Sequence, residues 1–473
     1  MNQSLPTQEN IIPRFFQMLP ANILSNIMLP LTTIFSTAFL GHLEEIHHLA
    51  GVALAGNLFC FLFLIFVSLR MSTTGLTAQA MGREDREETL LVGLRNFIIA
   101  LLFGIALIIF QYPMQQLGLS WVNASPDVID SAINYYNVAI WGAPATLINF
   151  VLIGWFLGIE RNGKVLLLSF VGNITNILAN YLLIVRWNFA STGAGISSVM
   201  SQYIFLLLAL IFLFHEIQWQ ELKGLTGKVW HSDVLKSTLT LNSNLLINNT
   251  IFILTVMIFN YQGVGLGTTT YAENALLIEI FNLNACLAEG VGFGIETLCG
   301  NFTGKGISAQ LKPSVAVGIA TSLFIGVSLA GVAILFPYTL FGLFTNHTEV
   351  IELIGVYVFW LLPVLVVTSV GFVLEAYFLG LTEGETVRNV SLISFIIGFT
   401  PTAFVAWKLH SNHILWLALC LYFAVKVVSF GVQLPRTFRS NINDGTLSAL
   451  EAESNLPADS NQELASLAIA EEP

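Results

Sequence analysis

Long apolar stretches alternate with short polar breaks along almost the whole chain. Each stretch holds about 20 or more residues, enough for a helix to cross a hydrocarbon layer of roughly 30 Å. The pattern predicts an all-α polytopic membrane protein with twelve transmembrane helices, near residues 14–38, 50–80, 90–112, 128–158, 164–185, 190–214, 237–261, 271–300, 313–336, 349–380, 387–408 and 413–435. The stretches at 50–80 and 271–300 exceed the bilayer thickness, so we expect their ends to project beyond it or the helices to tilt.

The basic residues are distributed unevenly between the two sides of this pattern. With the N-terminus inside, fourteen Lys and Arg residues fall in or beside cytoplasmic segments and only Arg186 and Lys408 fall in external loops. Basic residues avoid translocated loops. We therefore expect both termini in the cytoplasm, the N-terminus being residues 1–13, and we expect a multi-pass protein of a bacterial-type plasma membrane. Arg70 and Lys426 remain inside predicted helices, where a snorkelling or glutamate-paired role is favoured for Arg70.

Composition supports the membrane assignment. The chain has 473 residues, of which 55% are hydrophobic and 10% are charged, and its mean hydropathy is +0.76. The net charge of −11 is informative only about the tail, residues 439–473, which carries seven acids and no Lys after Arg439. This composition is typical of a disordered acidic extension.

The two halves of the chain resemble each other at one ungapped offset of 222 residues. The offset aligns polar, aromatic and glycine positions, including Asn22 with Asn244, Asn26 with Asn248, Gly82 with Gly304 and Tyr135 with Tyr357. We interpret it as two homologous six-helix bundles, residues 14–214 and 237–438, joined by a cytoplasmic linker at 215–236. Six is an even number, so the bundles enter the membrane in the same orientation. Secondary transporters with parallel repeats bind substrate between such halves and rock one half against the other.

Motifs for enzyme chemistry are absent. The sequence has no H-E-x-x-H or G-x-S-x-G, its four cysteines show no C-x-x-C spacing, and GNFTGKG at 300–306 departs from the phosphate-binding loop pattern. We therefore predict a non-enzyme without cofactor or metal, driven by an ion gradient of H⁺ or Na⁺. The expected partners are a small organic substrate, cationic or aromatic, and the lipid bilayer; we expect a monomer that binds no nucleic acid.

Four of the glutamates inside the predicted helices are candidates for ion coupling. Glu279 lies in the outer half of the helix at 271–300, Glu289 in its inner half and Glu296 near its cytoplasmic end, while Glu375 lies in the inner half of the helix at 349–380. Ionisable residues in a bilayer are functional candidates by default, although a hydrogen-bonded or snorkelling structural role is the alternative for each. Glu289 and Glu375 have no basic neighbour in sequence that could pair with them.

Polar side chains in the first half form a second candidate group. Asn173, Asn176 and Asn180 recur at intervals of three and four residues and so make one stripe on an apolar helix. Amides of this kind either hold packed helices together or line a cavity. By chain direction Asn180 and Ser36 both fall in the outer half, and Asn57 aligns with Glu279 in the repeat, so these residues form a candidate polar cavity in the first bundle.

Several motifs resemble one transporter family. They are LRMSTTGLTAQAMG at 69–82, STAFLGHL at 36–43, FLGIERNGKVLLLSFVGNITNILANYLLI at 156–184, AEGVGFGIETLCG at 288–300 and FVLEAYFLGLTEG at 372–384. In order and position they resemble the DinF-like branch of the multidrug and toxic compound extrusion (MATE) family, over essentially residues 14–438. The resemblance implies two bundles around a V-shaped cavity and an antiporter for multidrug and xenobiotic efflux, which exports small organic molecules in exchange for H⁺ or Na⁺ by alternating access.

The chain departs from the family pattern at the acidic positions. Relatives commonly have aspartate where this chain has Ser36 and Asn180, so the two acids usually credited with coupling in the first bundle are neutral here. In the second bundle Glu289 and Glu375 stand where the family usually has aspartate, and Glu296 matches a family glutamate. Our hypothesis is that Glu289 and Glu375 bind the coupling ion, with Glu279 as a third candidate and Glu296 as an inner relay.

Three alternative functions stay open on the sequence. A lipid-linked oligosaccharide flippase of a related superfamily would have the same helix count, but its anionic cargo favours a basic cavity. A major facilitator permease would also have two parallel six-helix bundles, although GREDREE at 82–88 does not fit that family's loop motif. A non-transporting membrane protein would have no use for the buried carboxylates.

Overall fold

The computed structural model describes residues 11–41, 45–120, 124–218, 221, 224–225, 227–342 and 354–454. Within these ranges the side chains of residues 29–34, 37, 46, 268 and 439–454 are not described.

Twelve long helices dominate the structure, and we number them in chain order. They are α1 (Ile11–Gly41), α2 (His47–Gly82), α3 (Arg86–Ile109), α4 (Pro126–Gly158), α5 (Asn162–Arg186), α6 (Ala190–Glu216), α7 (Ser232–Gly265), α8 (Thr269–Gly304), α9 (Ser308–Leu335), α10 (Ile354–Gly380), α11 (Gly384–Leu409) and α12 (Asn412–Phe438).

The prediction of twelve membrane helices is confirmed. Eleven of them, α2 to α12, are long and apolar enough to cross a membrane, and α1 has 31 residues, well above the minimum of about 20. The two helices that we expected to be longer than the bilayer thickness, α2 and α8, have 36 residues each. Helix α2 is interrupted at Val67, where Ile46–Phe66 ends and Ser68–Gly82 begins.

Two features extend beyond the predicted boundaries. Short helices at Gln111–Ser120 and Pro337–Phe341 follow α3 and α9. The helix that begins at Asn412 continues to Ser454, whereas the sequence predicts disorder from residue 439. Leu, Ala and Glu are frequent between residues 447 and 453, and these residue types favour helix. Residues 455–473 of the predicted tail lie outside the described part.

Each bundle has its own apolar core. One cluster of buried residues joins α2 to α6, with Trp155 and Phe156 among its largest members. A second joins α7 to α12 around Trp416 and Phe423. We call the helix ends that carry Gly82 and Gly304 the inner ends, and the opposite ends the outer ends, as the loop charges predict. A third cluster lies at the inner ends and joins the two bundles, since Phe15 of α1 and Val291 of α8 both belong to it. The predicted division into two six-helix bundles is therefore the observed architecture.

The linker between the bundles packs against the first of them. Leu225 and Val229 are buried in the core of the first bundle, and the Lys228 ammonium lies 2.6 Å from the Glu87 carboxylate. Arg86 donates to the Glu221 carboxylate at 3.3 Å, and this bond holds the pKa of Glu221 below its usual value. The described part of the segment at 215–236 is thus attached to the first bundle rather than suspended between the two.

Two glycines related by the repeat form the tightest contact between the bundles. A Cβ atom added to Gly82 at the end of α2 would lie 2.1 Å from the Asn301 carbonyl oxygen, and one added to Gly304 at the end of α8 would lie 2.1 Å from the Gln79 carbonyl oxygen. Such distances are impossible for non-bonded atoms, so only glycine permits this approach. The inner ends of α2 and α8 therefore meet backbone to backbone, as the pseudo-two-fold relation requires.

We expect Gly82→Ala to open the inner end of the molecule. The added methyl group must push α2 and α8 apart, so the population in which the bundles separate at this end should rise. Spin labels at two repeat-related exposed positions, introduced as Gly163→Cys and Glu385→Cys with the native cysteines replaced, would report the separation by electron-electron resonance. The distance should lengthen by several ångströms in Gly82→Ala and in Gly304→Ala.

The control is Gly331→Ala, because an added Cβ at Gly331 meets nothing within 4 Å. Equal distances in Gly82→Ala, Gly331→Ala and the unsubstituted chain would show that this glycine contact does not hold the inner end closed.

Candidate functional site

A single face of α2 is exposed in its outer half and packed in its inner half. Ala53, Asn57 and Cys60 are exposed. They lie on the same helical face as Ala78 and Gly82, because the intervals between these residues are close to whole numbers of helical turns. Ala78 contacts Gly300 of the second bundle, at 2.7 Å from the position of an added Cβ. The face that joins the bundles at the inner end is therefore uncovered at the outer end.

The corresponding face of α8 also changes from exposed in its outer half to buried in its inner half. Ala275, Glu279 and Asn282 are exposed, whereas Phe293 further along this face is buried in the core of the first bundle. The Thr297 hydroxyl, one turn beyond, donates to the Leu157 carbonyl of the first bundle at 3.3 Å. The outer halves of α2 and α8 thus line an open space between the bundles, which we call the cleft.

An ion pair between the bundles lies at the base of the cleft. The guanidinium of Arg70 on α2 donates to the carboxylate of Glu289 on α8 at 2.7 Å, and Asn26 of α1 donates to the other oxygen of Glu289 at 3.2 Å. Arg70 also lies over the ring of Phe293, with 3.9 Å between its central carbon and the ring centroid. The Arg70 side chain is 6% exposed and that of Glu289 is 29% exposed, so the carboxylate is the member of the pair that the cleft can reach.

A second ion pair lies within the second bundle. The Lys426 ammonium on α12 donates to Glu375 of α10 at 2.6 Å, and Asn248 of α7 donates to the other carboxylate oxygen at 2.7 Å. Ser391 of α11 in turn donates to the Asn248 side-chain oxygen. The side chains of Lys426 and Glu375 are only 3% and 7% exposed.

These pairs supply the basic partners that Glu289 and Glu375 lack among their neighbours in sequence, and they agree with the glutamate-paired role considered for Arg70. Arg70 and Lys426, the two basic residues inside predicted helices, pair with one inner-half carboxylate each. The partners are 219 and 51 residues away in sequence, and the packing of the helices brings them together. A charge buried in a bilayer needs such a partner. The sequence contains two intramembrane cations and two inner-half glutamates, and this equal number could have predicted the pairing.

The other two candidate glutamates occupy contrasting positions. Glu279 is exposed in the cleft, and no hydrogen bond or ion pair joins it to any described residue. Glu296 is 1% exposed, and its Oε1 atom is buried without a hydrogen-bond partner among the described residues. Seven residues separate Glu296 from Glu289, so it lies about 10 Å deeper along α8. It is therefore enclosed between the cleft base and the glycine contact at Gly82.

The neutral residues of the first bundle form a smaller cluster than the sequence predicts. Asn180 of α5 donates to Ser36 of α1 at 2.7 Å and to Asn176 at 2.8 Å. Asn173 is separate, because it donates to the carbonyl of Ser169 on its own helix at 2.6 Å. Asn57 is exposed on α2, where it lies in the cleft. The cluster therefore joins α1 to α5, and its described members, Ser36, Asn176 and Asn180, are not ionisable.

Sequence reasoning also missed three polar residues within the membrane helices. Asn26 and Asn248, which the repeat relates to each other, each hold one carboxylate oxygen of a paired glutamate. Glu273 near the outer end of α8 is 2% exposed, and one of its oxygens has no partner among the described residues. The alignment of Asn26 with Asn248 was visible in the sequence, but their carboxylate partners were not.

The buried pair in the second bundle makes a prediction about stability. Lys426→Met should leave the Glu375 carboxylate charged and unpaired, which we expect to destabilise the protein by about 3 kcal/mol. The double variant Lys426→Met/Glu375→Gln should recover most of this loss. Thermal unfolding of the purified protein in detergent measures both. Lys408→Met, at an exposed position on α11, is the control, and a Lys426→Met variant as stable as this control would contradict a paired Glu375.

Comparison with known proteins agrees with this geometry. The sequence profile of the MatE family matches residues 21–182 and 244–404, one stretch in each bundle. The chain is 29% identical over 429 residues to DNA damage-inducible protein F of Escherichia coli, covering 90% of this chain and 91% of that protein. It is 23% identical to the probable multidrug resistance protein NorM of Shewanella oneidensis, over 65% of this chain and 68% of that one.

Solved structures show the same fold. A MATE structure in the bent conformation superposes with a TM-score of 0.84 at 18% identity, over 92% of this chain and 97% of that one. An outward-facing multidrug resistance MATE transporter superposes with a TM-score of 0.81 at 17% identity, over 91% and 96% of the two chains. The matched family profile, with the repeat and the cleft between two six-helix bundles, places this chain in the MatE family of membrane transporters, which are not enzymes.

Proposed function

We propose that the protein is a secondary antiporter that exports small organic molecules in exchange for H⁺ or Na⁺, and that Glu289 couples the two movements. The observation that carries the proposal is the Arg70–Glu289 pair, which joins the bundles where the open cleft ends and the closed inner contact begins. A cation that neutralises Glu289 acts directly on a contact between the two moving bodies.

The direction of access follows from the charge pattern of the loops. The bundles meet at the ends of α2 and α8, beside Arg83 and Lys305, and these ends are cytoplasmic by the positive-inside rule. The cleft then faces outward, and both termini lie in the cytoplasm of a cell bounded by a bacterial-type plasma membrane. Separation at the glycine contact would give the inward-facing form, in the manner of parallel-repeat transporters.

The proposed coupling of ion binding to bundle movement depends on a difference in exposure, since Arg70 is buried and Glu289 is partly exposed. Glu289 faces the cleft, so a proton or Na⁺ from outside reaches it first. Neutralisation removes the attraction to Arg70, whose Nη1 atom is already buried without a partner among the described residues. An unpaired buried guanidinium is costly, which favours separation of the bundles around it. The closed inner end therefore loses one of its cross-bundle attachments when the ion binds.

The remaining glutamates have distinct roles in this scheme. Glu375 can exchange Lys426 for a coupling cation, and Asn248 and Ser391 supply further oxygens beside it. Glu296 becomes accessible only when the inner contact opens, so it can accept the ion from Glu289 on its way to the cytoplasm. Glu279, exposed and without a basic partner among the described residues, attracts the substrate or the ion into the cleft.

The cleft chemistry favours a cationic or aromatic substrate. The carboxylates that reach the cleft are those of Glu279 and Glu289. The two intramembrane cations, Arg70 and Lys426, are each paired with a glutamate. An anionic lipid-linked oligosaccharide would need uncompensated basic residues there, so this alternative is disfavoured, and membership of the MatE family excludes a major facilitator permease. We propose a monomeric transporter, since each chain contains both halves of the cleft.

Neutralising the proposed coupling residue should uncouple transport. In vesicles with an imposed pH or Na⁺ gradient and ethidium as the fluorescent cationic probe, Glu289→Gln should lose roughly tenfold or more of the gradient-driven efflux, within the usual range of coupling between linked sites. Glu375→Gln should behave similarly. Whichever gradient drives the unsubstituted protein identifies the coupling ion.

The matched control is Glu385→Gln, because this side chain is 76% exposed at the membrane surface and should leave efflux unchanged. If Glu289→Gln and Glu375→Gln keep full gradient-driven efflux while Asn180→Ala abolishes it, the coupling site lies in the first bundle and the proposal is wrong.

A further inference from the structure

Two histidines and a glutamate converge at the outer rim of the first bundle. Glu45 precedes the first turn of α2, and His47 and His48 lie within that turn. The Nε2 atoms of His47 and His48 lie 3.4 Å and 3.3 Å from the same Glu45 oxygen, Oε2. One donor atom from each of the three side chains lies within 4.8 Å of the other two. The group is far from the cleft base and takes no part in the coupling scheme.

Two of the three separations match those of ligands around a single small metal ion. For Zn–N and Zn–O bonds of about 2.0 Å in tetrahedral geometry, neighbouring ligand atoms lie roughly 3.3 Å apart. The observed 3.3 Å and 3.4 Å between imidazole nitrogen and carboxylate oxygen agree with this value. Two imidazoles and one carboxylate are a ligand set that Zn²⁺ uses in proteins, with the fourth position left to water.

Among the described residues, no hydrogen bond or ion pair joins the Glu45 side chain to a residue other than His47 and His48. Glu45 occupies the N-cap position of α2, and its carboxylate accepts no bond from the helix backbone. Its carboxylate is directed to the two imidazoles instead.

The orientation of His48 is fixed by a neighbouring helix. The Nδ1 atom of His48 lies 3.1 Å from the hydroxyl of Ser131 on α4, and Ser131 is 2% exposed. When Nδ1 carries the proton and donates it to this hydroxyl, Nε2 presents its lone pair towards Glu45 and His47. Histidines that bind metals are commonly held by a hydrogen bond of this kind from the second ring nitrogen.

We propose that Glu45, His47 and His48 bind one divalent transition-metal ion of the Zn²⁺ type at the outer surface. The bound ion attaches the residue that precedes α2 to the first turn of that helix and, through His48 and Ser131, to α4. Motif spacing in the sequence predicts no metal site, because the ligands are adjacent along the chain and separated only by Ile46. All three ligands come from one chain, and the proposed metal site does not depend on the proposed transport function.

Zn²⁺ binding to the purified full-length protein, prepared without an affinity tag that contains histidine, tests the proposal. Competition with a chelating dye should reveal one ion per chain. His47→Gln, His48→Gln and Glu45→Gln should each weaken binding by more than about tenfold, and Ser131→Ala should weaken it by about tenfold because it removes only the orienting bond. The control is His231→Gln, at an exposed position outside the group, which should bind as the unsubstituted protein does.

A second measurement needs no substituted protein. Zn²⁺ should protect His47 and His48 from modification by diethyl pyrocarbonate, read by mass spectrometry, and should leave His231 reactive. Protection of the pair together with the loss of binding in the variants supports the site. Absence of one-to-one binding, equal affinity in the ligand variants and His231→Gln, or equal modification with and without Zn²⁺ would each show that the three side chains form a metal-free ion-pair cluster only.

Discussion

The Arg70–Glu289 pair is the interaction on which the arrangement of this transporter depends. It joins the bundles at the depth where the cleft ends, with the carboxylate partly open to the cleft and the guanidinium buried over Phe293. A buried charge that loses its partner is strongly unfavourable, so the pair and the closed inner end stabilise each other. Below it, the contact between Gly82 and Gly304 allows the backbones of α2 and α8 to touch.

The two bundles share a fold but differ in their internal chemistry. In the first bundle, Asn180, Asn176 and Ser36 form a neutral cluster between α1 and α5. In the second, Glu375 and Lys426 form a buried ion pair. A neutral hydrogen-bonded cluster does not change its charge when an ion gradient is imposed, whereas an ion pair can exchange a proton or a metal cation. The asymmetry supports our proposal that the second bundle, together with its contact with the first, senses the ion.

Much of the fold could be predicted from the sequence, and less of the site. Apolar length predicts the helices because the bilayer sets a fixed span, and the 222-residue offset predicts the two bundles. The partners of Glu289 and Glu375 could not be predicted, since they depend on the rotation of each helix and on packing between segments far apart in sequence. For the same reason the stripe of asparagines did not reveal that Asn173 bonds to its own helix.

The most direct test is the distance between the inner ends of the bundles, measured by spin labels at Gly163→Cys and Glu385→Cys while H⁺ and Na⁺ are varied. The account predicts that one of these ions lengthens the distance in the otherwise unsubstituted protein, and that a Glu289→Gln substitution gives the longer distance in every condition. A Glu289→Gln protein that keeps the short distance and still responds to the ion as before would contradict the claim that the pair with Arg70 controls closure.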